Sequence, residues 1–255
     1  MSRFFARFFP HVILACMMSA SPLAAHAQAR VQTPAKFTAN PPASADLSYT
    51  INAHQSGLSL NGTAILHWSQ DKNHYSISTE TRAMLLGKIL EAKSEGAIDA
   101  YGLAPLTSTE KRLRKELSTT TFNRETRSIT FSASDANYPI KGGEQDRNSV
   151  VWQLATMARS TPARFKTGAS LSMMVAGQKD AEQWTFKVGK SETIKTALGN
   201  LKTIKVSKLV KGSDKGQKID IWFAPSKEWY PVRIRFAEPS GDFIEQTIVK
   251  ITPQP

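Results

Sequence analysis

LSYTINAHQSGLSLNGTAILHW, residues 47–68, is the stretch whose reading decides the fold. Leu47, Tyr49, Ile51 and Ala53 take every second place, and Ser48, Thr50, Asn52 and His54 fill the places between. Successive side chains of a β-strand point to opposite faces, so this spacing gives one apolar and one polar face. Ala64, Leu66 and Trp68 repeat the pattern after Asn61-Gly62, a turn or bulge signal. The stretch therefore predicts strands buried on one side.

The same period extends outward. Tyr75 to Thr81, rich in Ser, Thr and Ile, suits a half-exposed strand, and Asn123 to Thr126 reads as a hairpin turn between Thr119–Phe122 and Ile129–Phe131. Further strands are predicted over Leu171–Val175, Trp184–Val188, Leu201–Leu209, Ile219–Phe223, Val232–Phe236 and Phe243–Ile251. Turn clusters at Gly177–Asp180, Gly212–Gly216 and Pro239–Asp242 separate them. Strands so closely spaced predict a mainly β fold, an antiparallel curled sheet, half-barrel or barrel, with a sandwich as the other arrangement. One main helix is predicted from Asp146 to Arg159, where Val150, Val151, Leu154 and Met157 recur at helical spacing and Asp146 or Asn148 stands ready to cap. A shorter helical turn is read over Ala83–Leu90, and no internal repeat is visible.

Residues 1–27 follow the plan of a secretory signal peptide. Arg3 and Arg7 precede an apolar run through Val12–Met18, Pro22 breaks it, and Ala25-His26-Ala27 offers small residues to a peptidase. A membrane anchor needs about 20 unbroken apolar residues, and Pro10, His11 and Pro22 interrupt this one. Cleavage after Ala27 places the protein in the periplasm, with no transmembrane segment left. Ile13-Leu14-Ala15-Cys16 loosely resembles a lipobox, which would instead make Cys16 a lipidated N-terminus. Cys16 is the one cysteine, so cleavage after Ala27 removes every route to a disulfide. Residues 28–46, with Pro34, Pro41 and Pro42 and no apolar period, read as a flexible tether, and 47–255 as a single β-rich domain.

A chain 40% hydrophobic with five tryptophans has ample material for a core. The formal charge of +12 falls to +10 when Arg3 and Arg7 leave with the leader (12 − 2). In the envelope such a field meets anionic lipids, lipopolysaccharide phosphates or cell-wall polymers rather than nucleic acid.

No motif for catalysis, metal or cofactor binding stands out. His54, His67 and His74 form no HxH or HxxxH pair, and no GxSxG elbow surrounds any serine. Ser94 and Ser149 are the two serines that stand out, and Ser149 opens the predicted helix, where a hydroxyl caps amides. Glu95 and Asp99, four apart on a strand, lie about 13 Å from end to end, too far for a coupled pair without a bulge at Gly96. Lys202, Lys205, Lys208 and Lys211 recur every third residue, which puts successive lysines on opposite faces of an edge strand or along a wet groove. Trp222, between Ile221 and Phe223, makes its strand apolar on both faces, as in a central strand or a cavity wall. Trp222, Lys205, Lys208, Arg233 and Arg235 are the candidate ligand or surface contacts.

Several segments taken together resemble the bacterial exported family known as domain of unknown function 3108. They are Leu47-Ser48-Tyr49 with Gly57, Ser94-Glu95-Gly96-Ala97-Ile98-Asp99, Tyr101-Gly102-Leu103-Ala104-Pro105, Gln145-Asp146-Arg147, Leu198-Gly199, Ile221-Trp222-Phe223 and Trp229-Tyr230-Pro231-Val232-Arg233-Ile234. The resemblance implies export and one β-rich domain, and supplies no catalytic residues. In physical terms Gly102 permits a tight turn, Pro105 ends a strand, Asp146-Arg147 reads as a cap with a charge partner, and Trp229 and Pro231 fix the entry of a strand.

Three functions remain open on these residues. The first is a non-catalytic periplasmic protein whose curled sheet holds or carries an apolar or amphipathic envelope molecule. The second is an assembly or structural factor that binds another envelope protein through a sheet edge or patch. The third is a hydrolase assembled from distant residues such as Asp99, Glu110 and Ser149.

Overall fold

In the computed structural model, which describes residues 35–210 and 216–254, the alternating stretch forms two paired strands, β1 (Ala45–Gln55) and β2 (Leu58–Gln70). Leu47 sits opposite Leu66 and Tyr49 opposite Ala64, so the apolar residues of both strands share a face. The meander continues through β3 (His74–Ala83), β4 (Gly87–Asp99), β5 (Gly102–Arg112), β6 (Ser118–Asn123), β7 (Ser128–Phe131) and β8 (Ser134–Pro139). A two-residue strand β9 (Gln145–Asp146) leads into helix α1 (Ser149–Ser160). A second meander follows: β10 (Ser170–Ala176), β11 (Ala181–Thr196), β12 (Gly199–Lys208), β13 (Lys218–Ala224), β14 (Tyr230–Ala237) and β15 (Phe243–Pro253).

All fifteen strands belong to one sheet, ordered β8 to β1, then β15 down to β9. The two meanders join through β1 and β15, with Ala45 opposite Pro253 and His54 opposite Phe243. Every pairing is antiparallel except β9 with β10. The outer strands β8 and β9 share no ladder, so the sheet is curled and not closed into a barrel. Its two ends still meet through side chains. Phe122, Ile129 and Phe131 pack with Ala176 and Ala181, and Thr120 Oγ1 donates to Gly177 O at 2.7 Å.

The helix lies inside the curl. Trp152 joins the cluster of Leu47, Tyr49 and Trp68, while Leu154, Ala155 and Met157 join that of Phe186, Val206, Ile221 and Phe223. Ser149, Gln153 and Thr156 are buried as well. A helix buried on all sides fills an interior, which is why its apolar positions exceed one stripe. Trp152 stacks on Trp68 at 4.2 Å and 7° between planes, worth about 0.5–1.5 kcal/mol beyond the area buried. Gln153 ties the helix to the β4–β5 turn: its Oε1 accepts from Leu103 N at 2.8 Å and its Nε2 donates to Tyr101 O at 2.7 Å. Gly102, at φ +98°, leaves the room this requires, since a Cβ there would lie 2.3 Å from Gln153 Oε1.

Several sequence expectations change here. Pro105 does not end a strand: β5 runs through it, because a bulge at Glu95/Gly96 sets Pro105 opposite Gly96, where its missing N–H is tolerated. No helical turn forms over 83–90; Met84–Leu86 make the tip of the β3–β4 hairpin. The span read as a tether is fixed at its end. Trp68 Nε1 donates to Pro42 O at 3.1 Å, Tyr230 Oη to Ala43 O at 2.8 Å, and β1 starts at Ala45. The expected signal peptide (residues 1–27), residues 28–34 and Lys211 lie outside the described residues.

Candidate functional site

Four of the five candidate residues come together on the outside of the sheet. Register places Lys205, Trp222, Arg233 and Thr247 in one row across β12–β15, and Ser207, Asp220, Arg235 and Glu245 in the next. The Lys205 ammonium lies 4.9 Å from the centre of the Trp222 ring and the Arg233 guanidinium 5.8 Å. Asp220 pairs with Lys205 at 3.2 Å, and Arg235 with Glu245 at 3.1 Å. Burial raises the Asp220 carboxyl, but the bond from Ser207 and the charges of Lys205 and Lys218 outweigh it and leave the group below its ordinary value. Lys208 stands apart, 4.2 Å from the centre of the Trp184 ring and 3.6 Å from Glu182. Each of these cations therefore has a carboxylate partner on its own sheet. β12 runs between β11 and β13, so its lysines are not edge guards; Lys205 and Lys208 each meet an aromatic ring and a carboxylate. β13 is likewise an inner strand, and Trp222 is buried without lining the interior cavity.

The cavity itself opens between the first meander, β14–β15 and the start of α1. It measures about 270 Å³, near the lower end of the roughly 300–1,000 Å³ usual for ligand pockets. Its walls are the inward residues of the alternating strands, among them Tyr49, Ile51, Leu66, Ile77, Ala92 and Ile234, closed by Val151 and Trp152. The polar residues are Thr79 and Thr81 on β3, Gln55, Asn61 and Arg82 toward the strand ends, Arg147 and Asn148 at the helix start, and Gln246 on β15. Arg82 pairs with Glu80 at 2.6 Å, whereas Arg147 has no ion-pair partner among the described residues. A shallower hollow shares Ile51, Asn61, Gly62, Arg82 and Ala83 with the cavity and reaches Met84 and Gly87 at the hairpin tip. The sequence names β1–β3 as half-buried, but an interior left partly empty has no sequence signature.

Beside the cavity, Asp146 anchors the helix from within. Its Oδ1 accepts from Asn148 N and Ser149 N at 2.8 and 3.0 Å, and its Oδ2 from Ser94 Oγ at 2.6 Å. Burial raises its pKa, against those bonds. Ser94 Oγ also lies 3.1 Å from Tyr75 Oη. The cap expected of Asp146 is thus real, though its charge partner is not Arg147. Ser94, one of the two serines singled out in the sequence, is spent on this bond; what sequence reasoning missed is its partner, Asp146. The hydrolase set is dispersed. Asp99 Oδ1 holds Tyr101 N at one end of the β4–β5 ladder, Glu110 pairs with Arg112 at the other, and Ser149 is fully buried. His67 bonds Asp46 at 2.6 Å, His74 lies 3.6 Å from Asp71, and His54 stacks on Phe243. Among the described residues no three His, Cys, Asp or Glu side chains cluster as a metal site.

The segments that carry the family resemblance meet in this network, Ser94 with Asp146 and Leu103 with Gln145 and Gln153. The family described as protein of unknown function (DUF3108) matches residues 47–249. The chain belongs to this family. No curated protein matches it in sequence. A beta-barrel-like protein of domain of unknown function DUF1849 from Brucella abortus is similar in fold, at TM-score 0.56 and 11% identity, over 84% of this chain and 99% of that one. A protein with YmcC-like fold from Bacteroides fragilis aligns over 86% of this chain and 99% of its own at 9% identity, but its TM-score of 0.36 carries no argument. This DUF3108 chain thus shares a β-barrel-like architecture with a protein of another family. Among its described residues no helix is long and apolar enough to cross a membrane.

Proposed function

We propose that this DUF3108 protein is exported to the periplasm by residues 1–27 and there holds an apolar or amphipathic envelope molecule in the cavity beside α1, without transforming it. The observation that carries this reading is the apolar interior between β1–β4, β14–β15 and the helix, with Arg147, Asn148 and Arg82 at its polar border. Apolar walls with a few convergent polar groups are what an amphiphile requires: the chain leaves water and the head meets donors. Arg147 favours an anionic head such as a carboxylate or phosphate.

Native mass spectrometry of the protein purified as the cell processes it should detect a bound amphiphile. Cis-parinaric acid serves as probe. Ala92 is 3% exposed and lines the cavity, so Ala92→Phe should weaken probe binding by about tenfold or more while the melting temperature holds. Arg147→Gln should weaken this acid more than an uncharged pyrene. Wild-type binding in a stable Ala92→Phe protein would place the ligand elsewhere.

A further inference from the structure

One end of the sheet differs from the rest of the surface. The β1–β2, β3–β4, β5–β6 and β14–β15 turns all emerge there, because each joins antiparallel neighbours of the same meander or its partner across β1. They are tied together: Met84 N donates to Asn61 O at 3.0 Å, Leu113 N to Ile89 O at 2.8 Å, and Ser56 N to Asp242 Oδ1 at 3.0 Å. Leu85 is 92% exposed at this end, Met84 80%, Leu58 64%, Leu86 59% and Leu117 55%. A single exposed leucine means little, but apolar tips on three adjacent turns form a patch that a protein alone in water does not favour. Cations interleave with them. The segment Lys111-Arg112-Leu113-Arg114-Lys115-Glu116-Leu117 has four cations against one carboxylate, and Lys88 follows the β3–β4 tip. Arg112 pairs with Glu110, while Lys111, Arg114 and Lys115 make no ion pair among the described residues.

We propose that this end docks on an anionic lipid bilayer, with Met84, Leu85 and Leu86 entering the interface and Lys111, Arg114 and Lys115 meeting head-group phosphates. Charge and shape select the occupant. The apolar residues stand on separate protruding turns with cations between them, which matches a soft surface of phosphates over hydrocarbon. A firm hold needs both signals, since either one alone gives marginal binding. The docked end is also the one the cavity approaches: Arg82 and Ala83 line the cavity and lie directly before Met84 in the chain. Docking therefore sets the cavity's polar border toward the bilayer. The inference goes beyond the cavity reading and does not need it, because a protein can dock without binding an amphiphile inside.

The test is flotation with vesicles of equal phosphatidylglycerol and phosphatidylcholine, and of phosphatidylcholine alone, over a salt series. All proteins are expressed with their own N-terminus and purified as processed, so that segment is common to every comparison. Wild type should bind the anionic vesicles and lose binding with salt, because screening leaves only contacts within about 8 Å at 0.15 M. Each cation near such a surface is worth about fivefold in binding, so Arg114→Glu with Lys115→Glu should lose on the order of 25-fold or more. Met84→Ser, Leu85→Ser and Leu86→Ser together should lose about tenfold or more on the same vesicles. Lys227→Glu, on the β13–β14 turn at the opposite end, should change binding by less than twofold. Melting temperatures should hold throughout, the altered side chains being exposed. Equal flotation of wild type and the loop variants overturns the proposal, as does wild type that ignores anionic vesicles yet crosslinks through this end to another protein. Parinaric acid binding by the loop variants, read separately, tells loss of docking from loss of the cavity.

Discussion

Trp152→Ala tests the interior most directly. Trp152 is 1% exposed, stacks on Trp68 at 4.2 Å and meets Tyr230 edge-on at 6.1 Å. Removing a buried aromatic of this kind costs about 3–5 kcal/mol, stacking included. That is a large share of the roughly 5–15 kcal/mol by which folded domains outlast their unfolded chains. For a domain of this length each kcal/mol lowers Tm by about 2–4 °C, so the variant should melt about 6–20 °C early. Trp152 also lines the cavity, so the new void joins an existing one instead of collapsing. The variant should therefore regain more stability than wild type from saturating parinaric acid, because ligand held only by the folded state stabilises it by mass action. Circular dichroism melts with and without the acid measure both effects. A Tm within about 2 °C of wild type without ligand would refute the claim that the helix fills the curl through this stack.

The two buried aspartates carry opposite pH signatures. Asp146 is raised by burial, so its contribution is full below about pH 4 and is lost as pH rises through its folded value; Asp146→Asn should flatten that fall in the urea midpoint. For Asp220 burial is outweighed by Ser207 and the lysines, so its contribution is present above about pH 4 and lost as pH falls through its folded value; Asp220→Asn should flatten the acid limb, and unchanged slopes would contradict either assignment. Gly102→Ala sets a Cβ against Gln153 and should cost about 2–4 kcal/mol by urea titration, whereas Gly168→Ala, also left-handed but with nothing within 4 Å, should cost only about 1–2. Equal losses would mean that the Gln153 contact is slack. Mass analysis of the mature N-terminus should find Gln28 or its cyclised form; a diacylated Cys16 would overturn the proposal of a free periplasmic protein in favour of a membrane-anchored one.

Strand identity was legible wherever one face is core and the other wet. Leu47–Ala53 and the runs within β10, β11, β14 and β15 fall inside observed strands for that reason. Leu201–Leu209 overshoots β12 by one residue, Ile219–Phe223 was legible as an apolar run instead, and the period of α1 survives with its start moved from Asp146 to Ser149. β8 escaped notice because Ser134–Pro139 alternates between exposed and half-buried without a hydrophobic run. Met84-Leu85-Leu86 misled because a helix and an exposed tip can share a short apolar triplet, and tertiary position alone separates them. The cationic candidates were legible only in part. Lys205, Arg233 and Arg235 are on the surface as their alternation requires, but register decides that Asp220 and Glu245 lie beside them. The Ser94–Asp146 bond joins residues 52 apart in sequence, a distance at which local pattern says nothing.

The pairing of β1 with β15 has a consequence in time. A chain that emerges N-terminus first can lay down β1 to β8 hairpin by hairpin, each step closing a short loop. β1 meanwhile remains a bare edge, the kind to which foreign strands add, until the last eleven-residue strand arrives. Everything from β2 to β14 is made before that vulnerability ends. A premature stop just ahead of Phe243 would thus release two finished meanders with no ladder between them, and an open edge on each.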